Sequence, residues 1–292
     1  MNLWQTISQH ISDSTGEIFN IDKQQAVVGG CINQTTRLSD GRRNFFVKTN
    51  HISHGDMFAA EACALQEMAS SNTVRVPLPV CYGDNGQHCY LVLEYLQMNG
   101  SANLVEFARQ FADMHKVTQD QFGWHRNNTI GSTPQTNKQH ENWIEFWRSQ
   151  RLGFQLELAA TNGYTGELQK LGEKLMVDFP VLFENYQPEP SMLHGDLWGG
   201  NISALEDGSA VIYDPAFYYG DREADLAMTY LFGGFSPSFY SAYNEAWPLD
   251  QGFSVRKTFY NLYHIINHAN LFGGGYHGQA ISMMEQILSE IK

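Results

Sequence analysis

The sequence predicts an α+β chain in two lobes, a small antiparallel sheet with one main helix followed by a larger, mostly helical lobe. Two observations carry this expectation. The first hundred residues alternate short apolar runs with the turn signals Asp40-Gly41 and Asp84-Asn85-Gly86, around one main helix-periodic stretch. Beyond Leu96 the apolar residues recur mostly at helical spacing. The expected lobes are residues 1–96 and 97–292, with a hinge near residues 94–100.

Each element has its own signal. Trp4, Ile7 and Ile11 are spaced for an amphipathic helix at the N-terminus. Residues 25–28 read as a short strand ending in Gly29-Gly30, and residues 31–38 as a second strand. The chain then turns at Asp40-Gly41 into a third, residues 44–49. Met57, Phe58, Ala62, Leu65 and Met68 share one face of a helix over residues 55–70, and Val76-Pro77-Leu78-Pro79 breaks that pattern. Strands over 80–82 and 88–94 complete the sheet. In the second lobe, Leu104, Phe107, Phe111 and Met114 form the stripe of a helix over 104–115. Residues 119–139 are polar, contain Gly123, Gly131 and Pro134, and read as loop. Further helices are expected at 143–160, 165–177, 221–231, 237–246, 253–271 and 279–291. The chain shows no internal repeat and no low-complexity segment.

Composition excludes several functional classes. With 42% hydrophobic and 17% charged residues in 292, the chain can bury a core and is neither disordered nor collagen-like. Its 18 basic against 31 acidic side chains leave a net charge of −13, which argues against a nucleic-acid partner. That balance suits an amine-bearing small partner and plain solubility equally well. The longest apolar run, residues 90–96, is interrupted by Glu94 and too short to cross a bilayer, and the N-terminus lacks a basic targeting region. Cys31, Cys63, Cys81 and Cys89 lack metal or disulfide-scaffold spacing, so the expected compartment is a reducing cytoplasm.

Chemistry concentrates in Leu193-His194-Gly195-Asp196-Leu197-Trp198-Gly199-Gly200-Asn201, followed by an apolar run that ends in Asp214-Pro215-Ala216. Phosphoryl transfer from a nucleotide needs this inventory: one carboxylate facing the attacking hydroxyl, and an amide oxygen and a second carboxylate holding magnesium. Residues 189–225 hold eight carboxylates and one arginine, a density that divalent cations or a cationic substrate would offset. Turn chemistry alone would also select Asp and Asn here. Glu61 falls inside the apolar stripe of its helix, where a carboxylate is costly unless paired, and Lys48 on the strand Phe45-Phe46-Val47-Lys48 is the nearest candidate partner. Lys48 could instead snorkel from an edge strand, and Glu61 could reach water at the margin of the stripe. Gly29-Gly30-Cys31 precedes this unit as a loop that could approach phosphates closely. Cys31 would sit on its ligand side, redox-sensitive or simply buried. Leu93-Glu94-Tyr95-Leu96 runs from a strand into a linker, where backbone groups could meet an adenine edge. His264 and His268, at helical spacing, read as core or surface histidines rather than zinc ligands.

Taken together, Gly29-Gly30-Cys31-Ile32-Asn33, Phe45-Phe46-Val47-Lys48, the 194–201 string, Asp214-Pro215-Ala216, the segment from Gly220 to Met228 and Leu271-Phe272-Gly273-Gly274 resemble the fructosamine/ketosamine-3-kinase family over nearly the whole chain. The segment from Gln155 to Ala160 is similar to its bacterial members. The resemblance implies a protein-kinase-like fold and ATP-dependent phosphorylation of the sugar 3-hydroxyl of fructosamine, ribulosamine or erythrulosamine adducts, free or protein-bound. The phosphorylated product releases its amine, which makes the activity a deglycation repair. By motif, Asp196 resembles the general base and Asn201 and Asp214 the magnesium ligands. Lys48 with Glu61, Gly29-Gly30 and residues 93–96 resemble the ATP site, Trp198 the sugar pocket, and His194 and Asp225 the supports of the catalytic loop. Asp221 stands where some members carry a basic or histidine residue. Asp214-Pro215-Ala216 replaces the protein-kinase DFG and no APE follows, so activation-loop control is not implied. A kinase for another amine-bearing alcohol, of the aminoglycoside or choline type, shares every catalytic residue, and a nucleotide-binding module without catalysis is the non-enzymatic alternative.

Overall fold

A computed structural model of the chain describes residues 2–27 and 32–291. Gly29, Gly30 and Cys31, expected to form a phosphate-covering loop, lie outside the described residues. The chain divides into two compact units, Met1–Asn103 with Ile202–Pro215 and Leu104–Asn201 with Ala216–Lys292.

The first unit opens with helix α1 (Leu3–Thr15). Its start is a capping box in which Asn2 and Gln5 each accept the other's backbone amide, and its end is Gly16 in the left-handed region at φ 74°. Five strands follow: β1 (Lys23–Ala26), β2 (Gln34–Ser39), β3 (Asn44–His51), β4 (Pro79–Asp84) and β5 (His88–Glu94). They form one antiparallel sheet in the order β1-β2-β3-β5-β4. The first strand begins two residues earlier than expected and is exposed throughout, and the second begins at Gln34 rather than residue 31. On one sheet face Phe45, Val47 and Val92 pack with Ile7 and Ile11 of α1 and with Phe19 and Leu38. Strand alternation turns Lys48 to the other face. There lies helix α2 (Gly55–Ser70), which buries Phe58, Ala62, Leu65 and Met68.

The second unit starts with α3 (Leu104–His115), whose Phe107 and Phe111 are fully buried. Residues 119–139, expected as loop, contain the hairpin β6 (Asn128–Ile130) and β7 (Thr133–Gln135). Its strands are too short and polar for apolar alternation to show them. The helix expected over 143–160 is α4 (Trp143–Phe146), a π-helical stretch Trp147–Leu152, and α5 (Gly153–Thr161). The π stretch carries the fully buried Arg151, which donates to the Thr136 carbonyl (2.6 Å) and to Asn137 Oδ1 (2.7 Å). Helix α6 (Glu167–Asp178) leads to strand β8 (Ser191–Leu193).

The chain then returns to the first unit as the hairpin β9 (Ile202–Ala204) and β10 (Ala210–Ile212). The Gly100 amide donates to the Ala204 carbonyl (3.1 Å), and Ile212 donates to Arg75 (3.0 Å). Strand β11 (Tyr218–Gly220) pairs back onto β8, with Leu193 opposite Tyr218. Helix α7 (Arg222–Met228) follows. It ends three residues before the expected 231, and a 3-10 turn at Leu231–Gly233 succeeds it, with Phe232 left-handed at φ 55°. Helices α8 (Pro237–Ala246), α9 (Phe253–Phe272) and α10 (Tyr276–Glu290) complete the unit, and Phe239 of α8 stacks on Phe107 at 5.8 Å.

A Cβ on Gly100 would stand 1.8 Å from the Leu205 carbonyl oxygen, so the β9–β10 hairpin can lie there only against glycine. Gly100→Ala should therefore lower stability by about 1–3 kcal/mol in urea unfolding, as overpacking does. An unchanged midpoint would contradict this packing.

Candidate active site

In the second unit, the β8–β11 ladder places the start of α7 beneath the loop that follows β8. Asp221 caps that helix, accepting the Glu223 amide at 2.9 Å, and Asp225 comes one turn later. The Asp225 carboxylate is buried and accepts two consecutive amides of the loop, His194 at 2.7 Å and Gly195 at 2.8 Å. Gly195 adopts φ +82°, and a Cβ there would lie 2.0 Å from the Ala216 carbonyl oxygen, so only glycine makes this turn. The Asp196 amide then donates to His194 Nδ1 at 3.2 Å. Asn201 Nδ2 donates back to the Asp196 carbonyl at 2.8 Å and to its Oδ2 at 3.2 Å. With its amide nitrogen so engaged, Asn201 has its Oδ1 to offer a cation. The Trp198 indole lies over Gly200, where a Cβ would come within 2.3 Å of the ring.

Behind Asp225 stands a residue that the sequence did not reveal. His115, fully buried at the end of α3, places Nε2 3.3 Å from Asp225 Oδ2 and Nδ1 2.7 Å from the Tyr243 hydroxyl. A neutral ring that donates from Nε2 to the carboxylate accepts from Tyr243 at Nδ1. Burial pushes the His115 pKa down against the pull of Asp225. Burial pushes Asp225 up, but His115 and the loop amides prevail and hold it below the usual carboxylate range. His115 continues the α3 stripe four residues after Phe111. That spacing was the available signal, although its partner Tyr243 lies 128 residues away.

In the first unit, Lys48 sits opposite Leu91 on β5 and is almost fully buried. Its Nζ donates to Glu61 Oε1 at 2.6 Å and to Asp214 Oδ1. The snorkelling alternative is therefore set aside. Burial alone would push the ammonium down; the Asp214 and Glu61 carboxylates overcome it and hold Lys48 above the usual lysine range. Asp214 has a left-handed backbone at φ 59°, a conformation that aspartate tolerates better than most residues. Glu94 is a strut: its carboxylate receives Arg75 Nη2 and the Leu78 amide, each at 2.7 Å, and its own amide donates to the Leu78 carbonyl at 2.9 Å. Leu93 is buried, and the Arg37 guanidinium lies 4.5 Å from the Tyr95 ring centroid. Leu96 is half-buried.

Other singled-out residues are structural. Asp221 is fully buried and accepts from Tyr186 (2.8 Å) and Tyr260. Among the described residues, no group of three or more His, Cys, Asp and Glu side chains could hold a metal. His264 is buried, and among the described residues its Nδ1 has no hydrogen-bond partner.

A carboxylate on a glycine turn clamped by a buried aspartate, an asparagine five residues on, and a buried lysine–glutamate pair joined by a strand-end aspartate define a protein-kinase-like phosphotransferase. An aminoglycoside phosphotransferase shares the fold at a TM-score of 0.60 over 97% of this chain and 98% of its own, at 11% identity. The chain belongs to the fructosamine kinase family, whose profile matches residues 3–290. It is 47% identical over 290 residues to a Synechocystis protein named a probable ketoamine kinase, covering 98% of this chain and 97% of that one. It is 41% identical over 283 residues to the chloroplastic protein-ribulosamine 3-kinase of Arabidopsis thaliana, covering 95% and 86%. The crystal structure of a candidate fructosamine-3-kinase from Haemophilus somnus matches at a TM-score of 0.90 and 30% identity, over 98% and 97%. The chain is thus an enzyme, a kinase that draws its phosphoryl group from ATP and passes it to an alcohol. No helix among the described residues is long and apolar enough to cross a membrane.

Burial, and next the neighbouring His268, push the His264 pKa down from 6.5 to about 3. Between these values the unfolded chain binds the proton and the folded chain does not, so stability falls as pH falls. At pH 5 the cost is about 2 kcal/mol. Stability measured at pH 7.5 and pH 5 should show wild type losing about this much more than His264→Leu; equal losses would mean that His264 protonates freely in the fold.

Proposed function

We propose that this kinase phosphorylates the sugar 3-hydroxyl of ketosamines, the adducts of fructose-, ribulose- or erythrulose-type sugars with amines, and so initiates their removal. The observation that carries the proposal is the Asp196 loop. Its base is fixed by two backbone amides on Asp225 and by Asn201, and an indole stands two residues beyond it as a face for a sugar and its ammonium. The relatives' names supply the substrate class.

In this mechanism Asp196 orients the 3-hydroxyl and accepts its proton as the hydroxyl oxygen bonds to the γ-phosphorus. The bond from that phosphorus to the β,γ-bridging oxygen breaks, and ADP leaves. Lys48, kept protonated by Glu61 and Asp214, donates to the nucleotide phosphates. Leu93, Glu94, Tyr95 and Leu96 lie where backbone groups would meet the adenine edge. Magnesium fits the donor set: the Asn201 amide oxygen and the Asp214 carboxylate are hard oxygens, and a nucleotide-bound magnesium takes only one or two protein ligands. When bound, it supplies charge neutralisation at the phosphates. Cys63, Cys81 and Cys89, which form no disulfide among the described residues, suit the cytoplasmic placement that we assign.

Asp196→Asn should lower kcat for a ribulosamine by about 10²–10⁴-fold with the KM for ATP nearly constant, read by coupled ADP release. A variant as fast as the parent removes Asp196 as the base.

A further inference from the structure

Trp198 is the first of a line of exposed and half-buried rings within the second unit. Phe232 meets it edge-on at 5.9 Å, His268 lies 4.9 Å beyond Phe232, and Phe272 and Tyr276 lie 5.6 and 5.1 Å from His268. Phe232 is 43% and Phe272 64% exposed. Three features show that the line is built rather than incidental. Phe232 adopts φ 55°, ψ 43°, a genuine outlier for a bulky aromatic residue, at the head of Gly233 and Gly234, both also at positive φ. Phe272 ends α9 where Gly273 stops the helix at φ 66°. His268 Nδ1 bonds to the His264 carbonyl at 2.7 Å, which makes Nδ1 the donor and leaves Nε2 the acceptor in the neutral ring. Cations stack on other rings of this unit: Arg151 on Tyr218, Arg222 on Trp247, Arg256 on Tyr186 and Lys257 on Tyr230. None of the cation–ring pairs among the described residues uses Trp198, Phe232 or Phe272.

We propose that Phe232, His268 and Phe272 form a second subsite that takes the apolar substituent on the ketosamine nitrogen and so sets which amine carriers this kinase prefers. The inference rests on the ketosamine reading of the Asp196 loop. In a ketosamine the nitrogen is bonded to C1, and C2 alone separates C1 from the carbon bearing the reactive hydroxyl. A sugar seated at Asp196 therefore keeps its nitrogen close to Trp198, and the carrier continues past it. The rings beyond offer apolar area and one acceptor nitrogen, and no stacked cation to receive a carboxylate. An aliphatic or aromatic amine fits this line, whereas an amine with a carboxylate beside the nitrogen does not.

The test compares ribulose adducts of methylamine, glycine and benzylamine with Mg-ATP in the wild type, Phe272→Ser, Phe272→Leu and Phe232→Gly. Phe272 is exposed, and glycine suits the backbone of residue 232, so the variants should fold, with thermal midpoints as the check. The expected kcat/KM for the benzylamine adduct is at least about tenfold above the other two, a step of about 1.4 kcal/mol. Phe272→Ser and Phe232→Gly should shrink that ratio below about threefold, while Phe272→Leu keeps it. A carrier-independent kcat/KM in the wild type, or a ratio that survives both ring removals, overturns the subsite and leaves the kinase reading standing. If no adduct is phosphorylated, the ketosamine reading falls, and calorimetric titration with the same adducts decides the subsite. Tighter benzylamine-adduct binding lost in Phe272→Ser upholds it; equal binding rejects it.

Discussion

A carboxylate buried in protein is tolerated when hydrogen bonds satisfy its oxygens, and in the second unit that requirement is used to shape a loop. Asp225 has the amides of His194 and Gly195 as its partners, one on each oxygen. Two adjacent amides can converge on one carboxylate only if the backbone bends sharply between them and the next residue. Gly195, at φ +82° and pressed against the Ala216 carbonyl, supplies the bend. The direction of Asp196 follows from this clamp, and Asn201 locks the loop from its far end. His115, held in turn by Tyr243, helps keep the clamp ionised.

The first unit meets the same problem with a cation. Lys48 is buried at the centre of a sheet, and Glu61 and Asp214 offset the cost of taking its charge from water. Asp214 belongs to the segment Ile202–Pro215, which the chain contributes to the first unit only after passing through much of the second. Asp214 makes its contact with Lys48 from a left-handed backbone, a conformation that aspartate tolerates better than most residues.

Legibility followed sequence distance and chemical conflict. Glu61 was readable because a carboxylate in an apolar stripe needs a partner, and Lys48 lay thirteen residues away. The Asp196, Asn201 and Asp214 set was readable from the residues as a phosphoryl-transfer inventory, but the clamp beneath it was not. The His115–Tyr243 contact was not, since nothing local in α3 indicates a hydroxyl on α8. Arg151 was hidden for a related reason: its burial depends on a π-helical stretch that changes which face of the helix it occupies. The β6–β7 hairpin escaped because its three-residue strands are polar and held partly by side-chain bonds, such as Gln135 to the Ala216 carbonyl at 3.0 Å. The helix expected over 221–231 overran Met228, since apolar periodicity does not separate the end of α7 from the 3-10 turn at Leu231–Gly233 that follows.

The central claim is that this clamped aspartate serves a ketosamine. The most direct measurement is phosphorus NMR of the product formed from Mg-ATP with ribulose- and fructose-derived adducts of Nα-acetyl-lysine, with aminoglycosides and choline as competing acceptors. The account predicts a new phosphate monoester on the sugar O3 of an adduct, followed by release of the free amine. A phosphorylated aminoglycoside or choline beside untouched adducts would contradict it.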